Sequence, residues 1–428
     1  MPNFTPLFVI LAGGQGQRFA PLVTNKTMFP FMDKPLLYWQ LEQLQRAGVQ
    51  KVLIATHPDN HSFLKKLKIK GLDIQTKCQT KPLGMADALL CLETEISNQP
   101  IVIMNAVDVV ADELFKILLK EISTHQPQGL VAGIKVSDYF LGGYLQLQNS
   151  RVTAVVEKPQ PGQEPSDLVN LVFHYFSQPQ KFIQLIKQTS SQKDDVYEQA
   201  LSQLMQQQTF GYITYDNYWH KLKYPHYVLD VMRLFLTHRL QASIDPTVQI
   251  SNKATIEGQV LIDKNVKVEA GAVIKGPVYI GPNTIIGSHT LIRQSMIERD
   301  TIIGFGSEVA RSYIGPKCRL HHNFIGDSVL EAEVNPSFGT VTTNLRLDKQ
   351  NIKLKTLEGE IETSQEKLGA ILAKGVFCGV NCSLMPGITV GANTKIYPGL
   401  VVNQALPAET IFKPAVFKSS QDKKTSVY

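Results

Sequence analysis

The chain has 428 residues, 43% hydrophobic and 19% charged, a composition that argues against both a disordered chain and a membrane-embedded one. Forty-three Lys+Arg against 37 Asp+Glu leave a net charge of +6, too mild for a nucleic-acid binder but suited to a phosphorylated small molecule. At roughly 150 residues per domain the length suggests two to three domains.

The first apolar run, Leu7–Ala12, is too short for the core of a secretion signal and reads as a buried strand. No run of 18 apolar residues follows, so no spanning helix and no membrane partner are expected. The five cysteines, an odd number without a regular framework, fit reduced thiols and a cytoplasmic location. Cys78, Cys91 and Cys318 stand apart. Cys378 and Cys382 lie four apart with no nearby ligand to complete a zinc set, and read as packing residues.

Up to about residue 235, strand-like runs (Phe8–Leu11, Lys51–Thr56, Ile101–Met104, Leu130–Ile134, Leu171–Phe176) alternate with segments such as Leu36–Ala47 and Leu114–Ile122, whose apolar residues recur at three and four. This order predicts an α/β domain over 1–240 with a mostly parallel sheet. Directly after the first strand comes Leu11-Ala-Gly-Gly-Gln-Gly-Gln-Arg18. Its glycines let backbone N–H groups approach a phosphate chain, with Arg18 and Lys26 supplying charge. The spacing matches neither the Walker nor the dinucleotide pattern.

From about residue 244 a period of six takes over: Ile250, Ile256, Ile262, Val268, Ile274, Ile280, Ile286 and Ile292. Six-residue strands with one inward aliphatic each, three to a coil, specify a left-handed parallel β-helix over 244–410. The register shortens through Ile297, Ile303, Val309, Ile314, Leu320 and Ile325, and fails across 331–370, read as an inserted loop or hairpin. It resumes at Leu372, Cys378, Leu384, Val390, Ile396 and Val402. Residues 411–428 read as a polar tail.

With these residues in view, the N-terminal half resembles the sugar-1-phosphate nucleotidylyltransferase family. The glycine turn with Phe19, Pro21 and Leu22, followed by Asn25-Lys-Thr-Met-Phe-Pro-Phe-Met-Asp-Lys-Pro35, is similar to the family signature. Gln79-Thr-Lys-Pro-Leu-Gly-Met-Ala-Asp-Ala88 resembles its base-recognition segment, and Ile101-Val-Ile-Met-Asn-Ala-Val-Asp108 its metal-bearing strand end. Glu157-Lys158-Pro159, with Gly143 before it and Asn170 after, resembles its sugar-phosphate motif. The resemblance implies a Rossmann-like fold and attack by a sugar-1-phosphate on the α-phosphorus of a nucleoside triphosphate, with UTP or dTTP favoured. It assigns Leu11, Ala12, Gly13, Gly14, Gln79 and Gly84 to the nucleotide, and Arg18 and Lys26 to the triphosphate. Asp108 goes to Mg²⁺, while Gly143, Glu157, Lys158 and Asn170 go to the sugar phosphate. The chain departs from the pattern at Val107, where the family usually has Gly. It departs again at Lys221 and Lys223 in Trp219-His-Lys-Leu-Lys-Tyr-Pro225, where the family carries Asp and Gly.

The C-terminal half resembles the acetyltransferase half of archaeal-type bifunctional sugar-1-phosphate enzymes, through Leu320-His-His-Asn-Phe-Ile-Gly-Asp327, Gly339-Thr-Val-Thr-Thr-Asn-Leu-Arg-Leu-Asp348 and Lys367-Leu-Gly-Ala370. This resemblance implies a homotrimer and N-acetylation of an amino-sugar-1-phosphate by acetyl-CoA. His321 (or its neighbour His322) would be the base, with Arg311, Asn335, Asn344 and Lys353 around the acceptor and cofactor. Phe324 replaces a tyrosine of that pattern, and Phe338 stands in a run otherwise made of small residues. A catalytically weakened sensing or scaffolding homologue, or an acetyltransferase alone, are the alternatives.

Overall fold

The computed structural model describes residues 5–81, 83–192 and 195–414, to which all counts below refer. The chain forms two compact units. The first comprises residues up to Gly16 with Asn25–Phe29 and Lys34–Leu222. The second comprises Gln17–Thr24, Pro30–Asp33 and the chain from Lys223 on.

The first unit is built on strands β1 (Leu7–Ala12), β2 (Lys51–Thr56), β3 (Asp73–Cys78) and β4 (Ile101–Asn105), then β5 (Asp108–Val110) and β6 (Gly129–Lys135). These are followed by β7 (Gly143–Gln148), β8 (Arg151–Glu157), β9 (Leu168–Phe176), β10 (Phe210–Tyr215) and β11 (Trp219–Lys221). Nine of them form one sheet in the order β3-β2-β1-β4-β9-β6-β10-β8-β7, and β5 pairs with β11 separately. The expected parallel order holds for β1 to β4. Beyond them the sheet is mixed. Strand β9 runs antiparallel to β4 and β6, and β8 antiparallel to β7 and β10, while β10 is parallel to β6. Short connections such as the turn between β7 and β8 allow only hairpin pairing.

Strand β1 is apolar without alternation because both faces are covered. Phe8, Ile10 and Ala12 enter one core with Leu37, Leu41 and Leu44 of helix α1 (Leu36–Arg46) and with Leu114, Phe115 and Leu118 of a helix spanning Asp112–His125. Leu7 and Val9 enter the other, with Leu201 and Leu204 of the helix Val196–Gln207. Spacings of three and four residues place these leucines on one helix face. Among the described residues no helix is long and apolar enough to cross a membrane.

The second unit is a β-helix whose rungs stack in parallel ladders. One inward column runs Ile262, Ile280, Ile297, Ile314, Leu330, Leu372, Val390, each hydrogen-bonded to the next coil, with Ile244 as an exposed first rung paired to Ile262. The shift from 18-residue to 17- and 16-residue coils is the shortening of register seen in the sequence. Cys318, Cys378 and Cys382 are free thiols within this core. The expected insertion is shorter than 331–370. Asn335–Pro336 and Val341–Thr342 are still rungs, and the excursion is a hairpin of Ile352–Thr356 with Gly359–Gln365 whose Ile352 and Leu354 are buried. Ile411–Phe412, assigned to the tail, form a last rung on Lys395–Ile396. The remainder of the expected tail, 415–428, lies outside the described residues.

One outer face of the β-helix is apolar. Tyr279, Met296, Tyr313, Val329 and Ile371 point away from the inward column yet are all buried. Within this unit Tyr313 donates to the Pro30 carbonyl (3.0 Å), and its ring meets Phe31, which stacks on Phe235 of the helix Tyr227–His238. Two buried glutamate side chains accept from backbone N–H groups. Glu331 accepts from Val23, Thr24 (2.7 Å) and Lys374, and Glu298 accepts from Asp33 (2.9 Å). Asp33 also pairs with Arg299, and with Met32 it occupies the left-handed region, at φ of 63° and 51°. Such a turn is strained for non-glycine residues and persists because these partners fix it.

Burial pushes the Glu298 carboxyl up to about 8, the Asp33 charge adding to the effect and the N–H groups of Asp33 and Met32 and the Arg299 charge opposing it. The folded state therefore keeps a proton that the unfolded chain releases from its ordinary value of 4.5 upward. This contribution to stability is complete at acid pH and is lost as pH rises through about 8. Glu298→Gln, neutral throughout, is expected to hold its Tm from about pH 5 to about pH 9 relative to a falling wild type. Parallel Tm curves would refute the assignment.

Candidate functional site

Strand β1 ends in Ala12, and Gly13 follows at a point where a side chain has no room: a methyl group there would lie 2.1 Å from Gln79 Oε1. Gln79 is 2% exposed, and its amide donates to the Gly84 carbonyl (3.2 Å) and to Asp87 Oδ2 (2.6 Å). The structure thus brings together Gly13, Gln79 and Gly84. It adds Asp87, which the sequence reading passed over although it stands one helical turn beyond Gly84. Gly84 has φ of 102°, a conformation only glycine adopts readily. Leu11 is half-buried, Ala12 buried and Gly14 exposed. Gly16, at φ of 73°, lies under the Lys26 side chain, whose Cε is 3.5 Å from where a methyl group would be. Arg18 is exposed in the short 3-10 turn Gln17–Phe19, within the second unit's set of contacts.

Asp108 opens β5 just past the end of β4 and is 2% exposed. One carboxylate oxygen accepts from the Trp219 indole (3.0 Å), while Oδ2 has no hydrogen-bond partner among the described residues. Its backbone carbonyl is tied to Gln40 of α1 at 2.7 Å. Lys221 is the residue directly opposite on β11, so the pair shares one face of the two-stranded ribbon. Trp219 is itself backed by Phe140, with ring centroids 5.2 Å apart. A buried carboxylate oxygen left without a donor is costly unless a cation or donor arrives.

Gly143 and Glu157 face each other across β7 and β8, and a methyl group on Gly143 would lie 2.5 Å from Glu157 Oε1. Asn170, half-buried on β9, belongs to the strand that pairs with β7 through Val169 and Tyr144. Lys158 is exposed at φ of 48°, its N–H donating to the Gly142 carbonyl. A cavity of about 360 Å³ adjoins Glu157 and is lined also by Val155, Asp195, Glu198 and Ser202. Asn170 has a partner that the sequence reading missed, His174, whose ring nitrogen meets Asn170 Oδ1 at 3.0 Å.

On the β-helix, His321 and His322 form an exposed corner. Buried Asn323 knots it, accepting from the His321 N–H and donating to the Ser337 and Thr340 carbonyls. His322 stacks on Phe338 at 5.1 Å and on Phe305 at 6.1 Å. Arg311 and Asn344 come together on Asp327, Arg311 through two bonds of 2.7 and 2.6 Å. That carboxylate engages the guanidinium fork that was expected beside the acceptor and cofactor. Asn335 and Lys353 lie apart from that cluster. Asn335 lines a cavity of about 450 Å³ with Asp300, Lys317, Arg319 and Glu333, and Lys353 pairs with Glu362 on the hairpin at 2.8 Å.

A family model described as nucleotidyl transferase matches residues 7–222, just over half of the chain, and one described as GMPPB C-terminal domain matches 256–353. The chain is 29% identical over 416 residues to the bifunctional sugar-1-phosphate nucleotidylyltransferase/acetyltransferase of Sulfurisphaera tokodaii, covering 94% of this chain and 99% of that protein. It is 29% identical over 395 residues to the bifunctional protein GlmU of Methanocaldococcus jannaschii, covering 89% and 90%. A solved UDP-glucose pyrophosphorylase from Acinetobacter baumanii aligns with 55% of this chain and 94% of its own, at a TM-score of 0.47 and 18% identity.

The packing around Gly143 yields a direct test. A methyl group there meets Glu157 Oε1 at 2.5 Å and Val155 Cγ1 at 2.9 Å. Gly143→Ala is therefore expected to cost about 1–3 kcal/mol of overpacking, read from urea unfolding. An unchanged midpoint would show that the β7–β8 ladder yields freely.

Proposed function

Because the chain belongs to the nucleotidyl transferase family, we infer that it transfers a nucleotidyl group from a nucleoside triphosphate to a sugar-1-phosphate, releasing pyrophosphate and a nucleotide-sugar. A phosphate oxygen of the sugar forms a bond to the α-phosphorus as the bond from that phosphorus to the bridging β-oxygen breaks. In-line transfer of this kind asks the protein for positioning and charge neutralisation. The observation that carries the reading is the closure of the glycine turn on Gln79, which supports a nucleotide seat of Leu11, Ala12, Gly13, Gly14, Gln79 and Gly84. Lys26, lying over Gly16, and Arg18, two residues further along the chain, would meet the triphosphate. Gly143, Glu157, Lys158 and Asn170 would hold the sugar phosphate.

The unpartnered Asp108 oxygen fits a hard divalent cation. Asp108 would be a protein ligand to Mg²⁺, which when bound neutralises phosphate charge. Because the facing residue is Lys221, the other ligands would come from phosphate oxygens and water, as Mg²⁺ commonly accepts. The Lys221 ammonium itself adds positive charge on the same face.

Pyrophosphate release from a panel of nucleoside triphosphates and sugar-1-phosphates tests this reading, with UTP and dTTP tried first. Lys26→Ala and Asp108→Ala are each expected to lower kcat/KM by about 10²-fold. A wild type inactive with every pair would overturn the assignment.

A second activity is favoured by the exposed His321–His322 corner, together with the extension of the Sulfurisphaera tokodaii match through the β-helix. Here His321 would take a proton from a sugar amine as it attacks acetyl-CoA, with Arg311, Asn335, Asn344 and Lys353 nearest in role, in a homotrimer. Thiol release from acetyl-CoA with glucosamine- or galactosamine-1-phosphate is expected to vanish in His321→Ala. Equal rates in both proteins would leave the β-helix a structural element.

A further inference from the structure

Strand β9 is irregular at one place. Leu171 pairs with Ala132 of β6 and His174 with Val131, so β9 spends three residues where its partner spends one. The extra residues contract the strand locally, and they bring two side chains four positions apart to 3.0 Å, His174 Nε2 to Asn170 Oδ1. On the far side of the imidazole, Nδ1 lies 2.7 Å from the hydroxyl of Tyr197, and the two rings stack at 5.8 Å. His174 is 0% and Tyr197 2% exposed, and Tyr197 is wedged edge-on against Phe182.

The proton positions follow from chemistry. Burial lowers His174 to about 3, opposed by the Leu171 carbonyl, and raises the Tyr197 phenol far above its ordinary range, Glu198 adding to it. Both groups are neutral at any working pH. A carbonyl oxygen only accepts, so His174 must carry its proton on Nε2, and Nδ1 is left as an acceptor that the Tyr197 O–H fills. The alternative tautomer would place two lone pairs face to face at Asn170, and with Nδ1–H donating to the phenol oxygen the buried Tyr197 O–H would lose its acceptor.

We propose that Tyr197 and His174 are positioning residues that lock the Asn170 amide with its oxygen toward the core, so that its N–H₂ group is presented to an acceptor oxygen of the sugar-1-phosphate. This rests on the assignment of Asn170 to the sugar phosphate above. The amide nitrogen has no other protein partner among the described residues. A donor-only group suits a phosphate or hydroxyl oxygen and rejects an ammonium.

Steady-state kinetics with Tyr197→Phe, Asn170→Ala, Asn170→Asp and the double variant Tyr197→Phe/Asn170→Ala test the relay, alongside nitrogen-15 NMR of His174. Tyr197→Phe is expected to raise KM for the sugar-1-phosphate about 5- to 10-fold while KM for the nucleotide stays within about 2-fold. The double variant should be no worse than Asn170→Ala, because the phenol acts only through the amide. Asn170→Asp, which turns a second oxygen to the phosphate, should be worse than Asn170→Ala. The NMR signature expected is a single Nε2–H tautomer from about pH 5 to about pH 8 in the wild type, and a mixture in Tyr197→Phe. Additive losses in an active enzyme, or an Nδ1–H tautomer, would overturn the relay and leave the nucleotidyl-transfer reading intact. A wild type without activity on any sugar-1-phosphate would overturn that reading, and with it the ligand named here, while the tautomer measurement still decides the lock.

Discussion

A strand hydrogen-bonded along both edges and packed on both faces has only its ends free, and β1 is such a strand. It is parallel to β2 on one side and β4 on the other, and its side chains alternate between two buried cores. Whatever chemistry it carries must emerge past Ala12. In parallel sheets the neighbouring strands end at the same level, so the carboxyl ends of β1, β3 and β4 deliver the glycine turn, Gln79 and Asp108 together. Each of these positions is then constrained by space. Gly13 has no room for a methyl group because Gln79 occupies it, and Asp108 is buried because α1 and Trp219 close over it.

The second unit obeys a different constraint. A β-helix rung satisfies its backbone through the coils above and below, so the inward column has to repeat at the length of one coil. That column also tolerates a hairpin of any length between rungs, provided the chain returns in register, as Leu330 and Leu372 do. The apolar outer face is the unusual element. Tyr279, Met296 and Tyr313 would be exposed on an isolated coil, and here they are buried under segments that belong to the same compact unit. Glu298 and Glu331 are buried with them because each offers acceptors to backbone N–H groups that would otherwise be unsatisfied.

Much of this was legible in the residue pattern. The hexapeptide spacing identified Ile262, Ile280, Ile297, Ile314, Leu372 and Val390 of the inward column but neither Leu330 nor the first rung at Ile244, and the glycine turn placed itself after a buried strand. The interior glutamates were not legible, because a glutamate at a coil corner has the same local signal whether it faces water or backbone. His174 was hidden for a related reason. It sits inside Leu171–Phe176, which reads as one apolar run, and no local rule marks where a strand will spend extra residues. The mixed character of the sheet was missed because alternating strands and helices suggest crossovers, whereas β7, β8 and β9 follow one another with no helix between.

By itself, then, the sequence determined what periodicity and backbone chemistry encode locally: strands and coils in order, aliphatics pointing inward, glycines where the chain must pass close to something. Tertiary structure alone decided which side chains meet. Gln79 against Gly13, Trp219 on Asp108, and Tyr197 behind His174 and Asn170 are contacts between segments tens to more than a hundred residues apart. Only packing selects them, since burial makes a missing hydrogen-bond partner costly and so rewards the one arrangement in which such groups pair.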